Sequence, residues 1–131
     1  MSGEKILVID DNAANLELTR FLLLNEGYEA ETAMNAQEAL AILEKFHPEL
    51  ILMDIRLPDM DGLALTRKLK ADPSTRDIII VALTAYDLQG DEQVALSAGC
   101  DRYITKPVDT RTFPDILRNY LDAMRLRRKT A

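Results

Sequence analysis

Ile78-Ile79-Ile80-Val81-Ala82-Leu83 runs without a polar side chain. A strand with one wet face alternates polar and apolar residues, and this one does not. Both of its faces must therefore be buried, as in a parallel sheet with helices on each side. Moving outward, apolar runs recur at Ile6–Ile9, Leu50–Met53 and Tyr103–Thr105, with a weaker one at Tyr28–Thr32. Segments of helical periodicity lie between and after them: Asn15–Asn25, Ala36–Phe46, Leu63–Ala71, Asp91–Ala98 and Thr112–Arg128. The alternation predicts a (βα)₅ chain with right-handed crossovers. Gly27, Pro48 and Asp72-Pro73-Ser74 fall where elements should stop. Pro114 fits the first turn of a last helix beginning at about Thr112, where its missing N–H costs little. Thr112-x-x-Asp115 has the form of a capping box.

A length of 131 residues suits one domain, read here as residues 1–131 with a core from about 4 to 124 and a basic end at 125–131. The chain is 47% hydrophobic, which is ample for a core. Its formal charge of −6 argues against direct nucleic-acid binding. No apolar run approaches the roughly 18–20 residues of a membrane span, and the start has no signal-peptide pattern. Cys100 is the sole cysteine and His47 the sole histidine. An internal disulfide, a zinc site and a Ser-His-Asp triad are thereby disfavoured, and a cytoplasmic location is expected. Cys100 reads as a small buried filler.

The chemistry gathers at strand ends. The first strand closes on Asp10-Asp11, the third on Asp54, the fourth on Thr84-Ala85 and the fifth on Thr105-Lys106-Pro107. In a parallel α/β sheet these ends share one edge, where ligands bind. Solvated loop acids are the plainer reading, but adjacent carboxylates raise the cost of each other's ionisation. A hard divalent cation answers that cost: Mg²⁺, with Mn²⁺ able to substitute, needs about two carboxylates and a carbonyl from the protein.

These residues, with Asp54-Ile55-Arg56-Leu57-Pro58-Asp59-Met60-Asp61-Gly62 and Tyr103-Ile104-Thr105-Lys106-Pro107, resemble the CheY-like receiver domains of two-component response regulators. The resemblance extends to cell-cycle regulators of the DivK kind. It implies a flavodoxin-like three-layer sandwich whose five-stranded parallel sheet has the order 2-1-3-4-5. It also implies a phosphoacceptor at Asp54. Mg²⁺ would be held by Asp11, Asp54 and the Arg56 backbone carbonyl, and by Asp10 through water. Lys106 and Thr84 would meet phosphoryl oxygens, Ala85 would leave room beside them, and the Lys106–Pro107 bond would be cis. Such a domain is not an enzyme in the ordinary sense, since it catalyses only its own phosphorylation and dephosphorylation. A sensor histidine kinase or histidine phosphotransfer protein would supply the phosphoryl group.

Arg56 and Tyr86, two residues beyond Asp54 and Thr84, are expected to set the phosphoryl lifetime. Thr84 and Tyr103 match the family's switch pair. Their movement would alter the face made by the fourth helix, fifth strand and fifth helix, and so reach a downstream protein. The expected state is a stand-alone monomer or weak dimer. The first helix carries two apolar stripes, of which Leu16, Leu23 and Leu24 form a surplus one, packed on the fifth helix or serving as a kinase-docking patch. The basic tail Arg125-Leu126-Arg127-Arg128-Lys129 complements a helix C-terminus.

Four rival readings meet obstacles. A haloacid-dehalogenase-type phosphatase needs an acid where Arg56 stands. A flavodoxin-type carrier would have its FMN phosphate repelled by Asp10-Asp11. Asp59-x-Asp61-Gly62 lacks the later Glu of a calcium loop and reads as a turn. A receiver working through contacts alone, without phosphorylation, would leave the acidic set unexplained.

Overall fold

The computed structural model describes residues 3–85, 96–106 and 109–130; the side chains of Thr84, Ala85, Thr105, Lys106 and residues 124–130 also lie outside the description. The elements are β1 (Lys5–Ile9), α1 (Ala13–Asn25), β2 (Glu29–Ala33), α2 (Ala36–Leu43), β3 (Leu50–Asp54), α3 (Gly62–Ala71) and β4 (Ile79–Ala85). After them come a short helical stretch at 96–98, labelled α4, then β5 (Arg102–Lys106) and α5 (Phe113–Thr130). Every described strand pairing is parallel, in the order β2-β1-β3-β4-β5. This is the expected flavodoxin-like (βα)₅ sheet.

The unbroken apolar runs are explained by two cores, one on each face. Successive residues of a strand point to opposite sides. Leu7, Ile9, Ile51, Met53, Ile80 and Ala82 therefore pack with Ala36, Ala39, Leu63, Leu65 and Leu69 of α2 and α3. Their neighbours Ile6, Val8, Leu50, Leu52, Val81 and Leu83 pack with Leu16 and Leu23 of α1 and Phe113, Leu117 and Leu121 of α5. Each Leu, Ile, Val, Met or Phe side chain among them contributes about 1.5–3 kcal/mol when fully buried, so a polar residue at any of these strand positions would be costly.

Of the two readings of the α1 stripe, packing on the fifth helix holds for Leu16 and Leu23, and the docking patch does not. Leu16 and Leu23 are buried, at 6% and 1% exposure, and share a core with α5. The inward stripe is Leu16, Thr19 and Leu23, spaced i, i+3, i+7. The outward residues are Leu18, Phe21 and Leu24, with Phe21 65% exposed. Of the three residues of that stripe, Leu24 alone is exposed.

Helix ends are fixed by local chemistry. At the end of α1, Gly27 adopts φ 90°. Its N–H donates to Leu24 O (3.0 Å) and that of Tyr28 donates to Leu23 O (3.1 Å). This is a Schellman closure, with buried Tyr28 packed in the same core as Leu23. Asp72 ends α3 and precedes Pro73, as the sequence predicts. Its carboxyl lies below the usual carboxylate range because the Ser74 N–H and hydroxyl donate to it. At α5, Ile116 N–H donates to Thr112 O, which makes Thr112 the residue flanking the helix and puts Pro114 in its first turn.

The amino ends of the strands are held by ion pairs between distant segments. Glu4, 3% exposed, meets Arg118 of α5 at 2.8 Å, and the Arg118 guanidinium also lies over the Tyr28 ring. The Glu4 hydrogen bond holds the Arg118 pKa above its ordinary value. Burial pushes the Tyr28 phenol up. Lys70 of α3 donates to Ile78 O (2.8 Å) and to Asp101 Oδ2 (2.9 Å), and that same oxygen accepts from Ile80 N–H. Cys100 is buried against Thr66, with its thiol pKa pushed up by burial, as befits a filler. His47 is exposed beside Asp77.

Candidate functional site

The carboxyl edge of the sheet is organised by its strand registers. Ile9 pairs with Met53, and Asp54 pairs with Leu83. Thr84 pairs with Thr105, and Ala85 with Lys106. The backbones of Asp54, Thr84 and Lys106 thus end side by side at the edge that receives Asp10 and Asp11.

The β1–α1 junction is fixed by a short hydrogen-bond chain. Asp10, 2% exposed, accepts from Asn12 N–H at 3.0 Å. Asn12 in turn caps α1, its side chain accepting from Asn15 N–H. That holds Asp10 inward while Asp11, next to it, stays exposed. Asp54 is 5% exposed, and its Oδ1 accepts from Arg56 N–H at 2.9 Å. One carboxylate oxygen from each of Asp10, Asp11 and Asp54 lies within 4.8 Å of the others. Three acids this close repel one another in water-poor surroundings. They also supply the hard oxygen donors that Mg²⁺ requires. The residues present fit such an ion.

The loop after Asp54 is tied down at several points. Gly62 N–H donates to Ile55 O at 3.0 Å. A Cβ at Gly62 would stand 2.4 Å from Asp54 O and 2.6 Å from Ile55 Cα. Glycine is therefore required by the close approach of α3 to the strand end bearing Asp54. Asp61 caps α3, accepting from Leu63 N–H. Asp59 reaches away from the loop: its two carboxylate oxygens accept from Ala36 N–H (2.9 Å) and Gln37 N–H (3.0 Å) of α2. Those bonds, Ala36 foremost, hold the Asp59 carboxyl below its ordinary pKa. Sequence reading treats Asp59 as a turn residue and misses this role. Gly62 at the first position of a helix was the available signal for the close approach.

Tyr103 is 38% exposed, and its carbonyl accepts from the Tyr120 hydroxyl at 3.2 Å. Arg56 is exposed. The side chains of Thr84, Ala85 and Lys106, together with Tyr86 and the Lys106–Pro107 bond, lie outside the described residues.

The sequence pattern of the response regulator receiver domain matches residues 6–118. The chain belongs to this family. The receiver is 38% identical over 118 residues to the polar-differentiation response regulator DivK of Brucella ovis, an overlap of 90% of this chain and 96% of that one. Among solved structures it resembles a CheY-like receiver domain protein from Methanospirillum hungatei JF-1, with a TM-score of 0.86 and 36% identity over 96% of this chain and 99% of that one. It also resembles the receiver domain of the sensor histidine kinase PA1611 from Pseudomonas aeruginosa PAO1, with a TM-score of 0.82 and 34% identity over 92% and 99% of the two chains. That relative holds a magnesium ion coordinated in its active-site cleft. The receiver is thus a two-component signalling domain rather than an enzyme acting on a separate substrate, and its acidic triad is of the kind that binds Mg²⁺ in receivers. Among the described residues, no helix is long and apolar enough to cross a membrane.

Proposed function

We propose that this receiver accepts a phosphoryl group on Asp54 in a Mg²⁺-dependent reaction and passes the signal on through Thr84 and Tyr103. The observation that carries this reading is the approach of Asp10, Asp11 and Asp54 to within 4.8 Å at the carboxyl edge. A bound Mg²⁺ would offset repulsion between an anionic nucleophile and an anionic donor, and would take up charge on the transferring group. Asp11, Asp54 and the Arg56 carbonyl would hold it directly, and Asp10 through water; Mn²⁺ would substitute.

The protein's own part is nucleophilic. A carboxylate oxygen of Asp54 attacks phosphorus, and the O–P bond of an acyl phosphate forms. The N–P bond of a phosphohistidine breaks, returning its electron pair to the imidazole of a sensor kinase or phosphotransfer protein. Lys106 would attract one phosphoryl oxygen as a point charge, and Thr84 would donate to another. The strand register supports these assignments, since it sets the Thr84 and Lys106 backbones beside the end of β3. Arg56 and Tyr86, two residues beyond Asp54 and Thr84 in sequence, would set the phosphoryl lifetime by guarding the approach of the hydrolytic water.

The signal leaves by population shift between two packings. Thr84 moves towards the phosphoryl group, and Tyr103, now partly exposed, turns inward. The surface of α4, β5 and α5 then changes towards a downstream protein. Residues 1–131 act in this reading as one cytoplasmic receiver domain, with its core at about 4–124, as a monomer or weak dimer.

Incubation with acetyl phosphate and Mg²⁺ tests the proposal by intact-protein mass. One added phosphoryl group is expected in the parent and none in Asp54→Asn. Equal labelling of the two proteins, or none of the parent, would refute it.

A further inference from the structure

We infer that Asp59 is a positioning residue for the metal site, acting by fastening the β3–α3 loop to α2; this rests on the reading of the Arg56 carbonyl as a Mg²⁺ ligand.

The N-terminus of α2 draws its hydrogen-bond partners from two sources. An α-helix begins with N–H groups that have no partner inside the helix. Asn35 caps α2 locally, its Oδ1 accepting from Glu38 N–H at 2.8 Å. Glu38 returns a bond, its Oε1 accepting from Met34 N–H at 2.8 Å. The remaining first-turn donors, Ala36 and Gln37, are taken by Asp59, 23 and 22 positions away. Local capping by a side chain one turn back is the ordinary solution. Here half of the cap comes from the loop that follows the phosphoacceptor.

That loop needs a fixed point at this place. Asp54 and Arg56 are joined by the bond from Arg56 N–H to Asp54 Oδ1. The far end of the loop is fixed by Asp61 capping α3 and by Gly62 bonded to Ile55 O. Between them Arg56, Pro58 and Asp59 are exposed, and Leu57 and Met60 are partly buried against the core under α2 and α3. Asp59 is a charged, two-point tie in this span. A carboxylate bonded to two backbone N–H groups is stronger than a neutral contact and sets direction as well as distance. It stands three residues after Arg56, so freeing it lets the Arg56 peptide rotate. Groups that orient metal ligands typically change affinity about 10–100-fold when removed.

The test separates loop positioning from helix stability. Mg²⁺ binding is measured by titration calorimetry on the parent, Asp59→Ala, Asp59→Asn and Asn35→Ala, with thermal melting of each in EDTA. Both alanine variants remove capping from the same helix end and should lower the melting temperature. Asp59→Ala should also weaken Mg²⁺ binding by about tenfold. Asn35→Ala should leave that affinity within about twofold of the parent, since the Asn35 side chain caps its own helix by accepting from Glu38 N–H. Asp59→Asn, with one acceptor oxygen, should fall between parent and alanine. Phosphorylation by acetyl phosphate should then be slow in Asp59→Ala at limiting Mg²⁺ and recover at saturating Mg²⁺. A parent that binds Mg²⁺ together with an Asp59→Ala protein that binds it equally well would overturn the inference and leave the site reading intact. Equal weakening in Asn35→Ala would overturn it too. A parent that binds no Mg²⁺ would overturn both.

Discussion

The two ends of the sheet handle charge in opposite ways. At the amino ends, unlike charges are paired over long distances: Glu4 with Arg118 and Lys70 with Asp101, each linking a helix to a strand start. At the carboxyl ends, like charges are pressed together in Asp10, Asp11 and Asp54. The first arrangement is satisfied within the chain and holds layers together. The second gathers oxygen donors and negative charge where a cation from outside would be attracted. One end therefore ties layers together, and the other collects like charge at a place suited to a ligand.

Substitutions should break this contrast in opposite directions. The largest effect is expected at the acidic end. Asp54→Asn should abolish acetyl-phosphate labelling altogether, yet leave the metal-free protein as stable as the parent or more so by about 1 kcal/mol, because like-charge repulsion falls. Paired mass measurement and urea unfolding would check this. A clear loss of stability would mean that the acids are matched within the chain.

At the opposite end, Arg118→Ala should cost about 3 kcal/mol by leaving the Glu4 carboxylate buried without its cation. Adding Glu4→Gln in the same chain should recover part of that loss in urea unfolding. A smaller effect tests relief from outside. Mg²⁺ at tenfold its dissociation constant should raise the unfolding free energy of the parent by about 1.4 kcal/mol. It should add nothing in Asp11→Asn.

The smallest effect is a pH response. Burial raises the Tyr28 phenol above its ordinary value. Between the unfolded and folded values the unfolded chain loses this proton first, so the contribution is whole below about pH 10 and declines as pH rises above it. In Tyr28→Phe that component of the alkaline decline should vanish from a stability–pH series.

The fold and the acidic triad were legible because both depend on strand ends. Once Ile78–Leu83 is read as a strand buried on both faces, neighbouring strands run parallel. Asp10, Asp11 and Asp54 must then meet at one edge. The orientation of α1 was harder to read. Leu16 and Leu23 share their inward stripe with Thr19, a polar residue buried to 6% exposure, and that interruption made the stripe look surplus. Asp59, Glu4 and Lys70 were silent for another reason. Their partners lie 23, 114 and 31 positions away, so no local spacing contains them. A turn rich in Asp looks the same whether its acids face water or hold a helix 20-odd residues upstream.

The outer border of β2 has a bearing on behaviour at high concentration. An edge strand offers unused backbone donors and acceptors, a template for another copy. On β2 the sequence Glu29-Ala30-Glu31 places two exposed carboxylates along that border. Two molecules aligning there would bring four acidic groups together, so border-to-border stacking is opposed electrostatically. That opposition weakens where salt is high, and crowded solutions of high ionic strength are where ribbon-like association should first be sought.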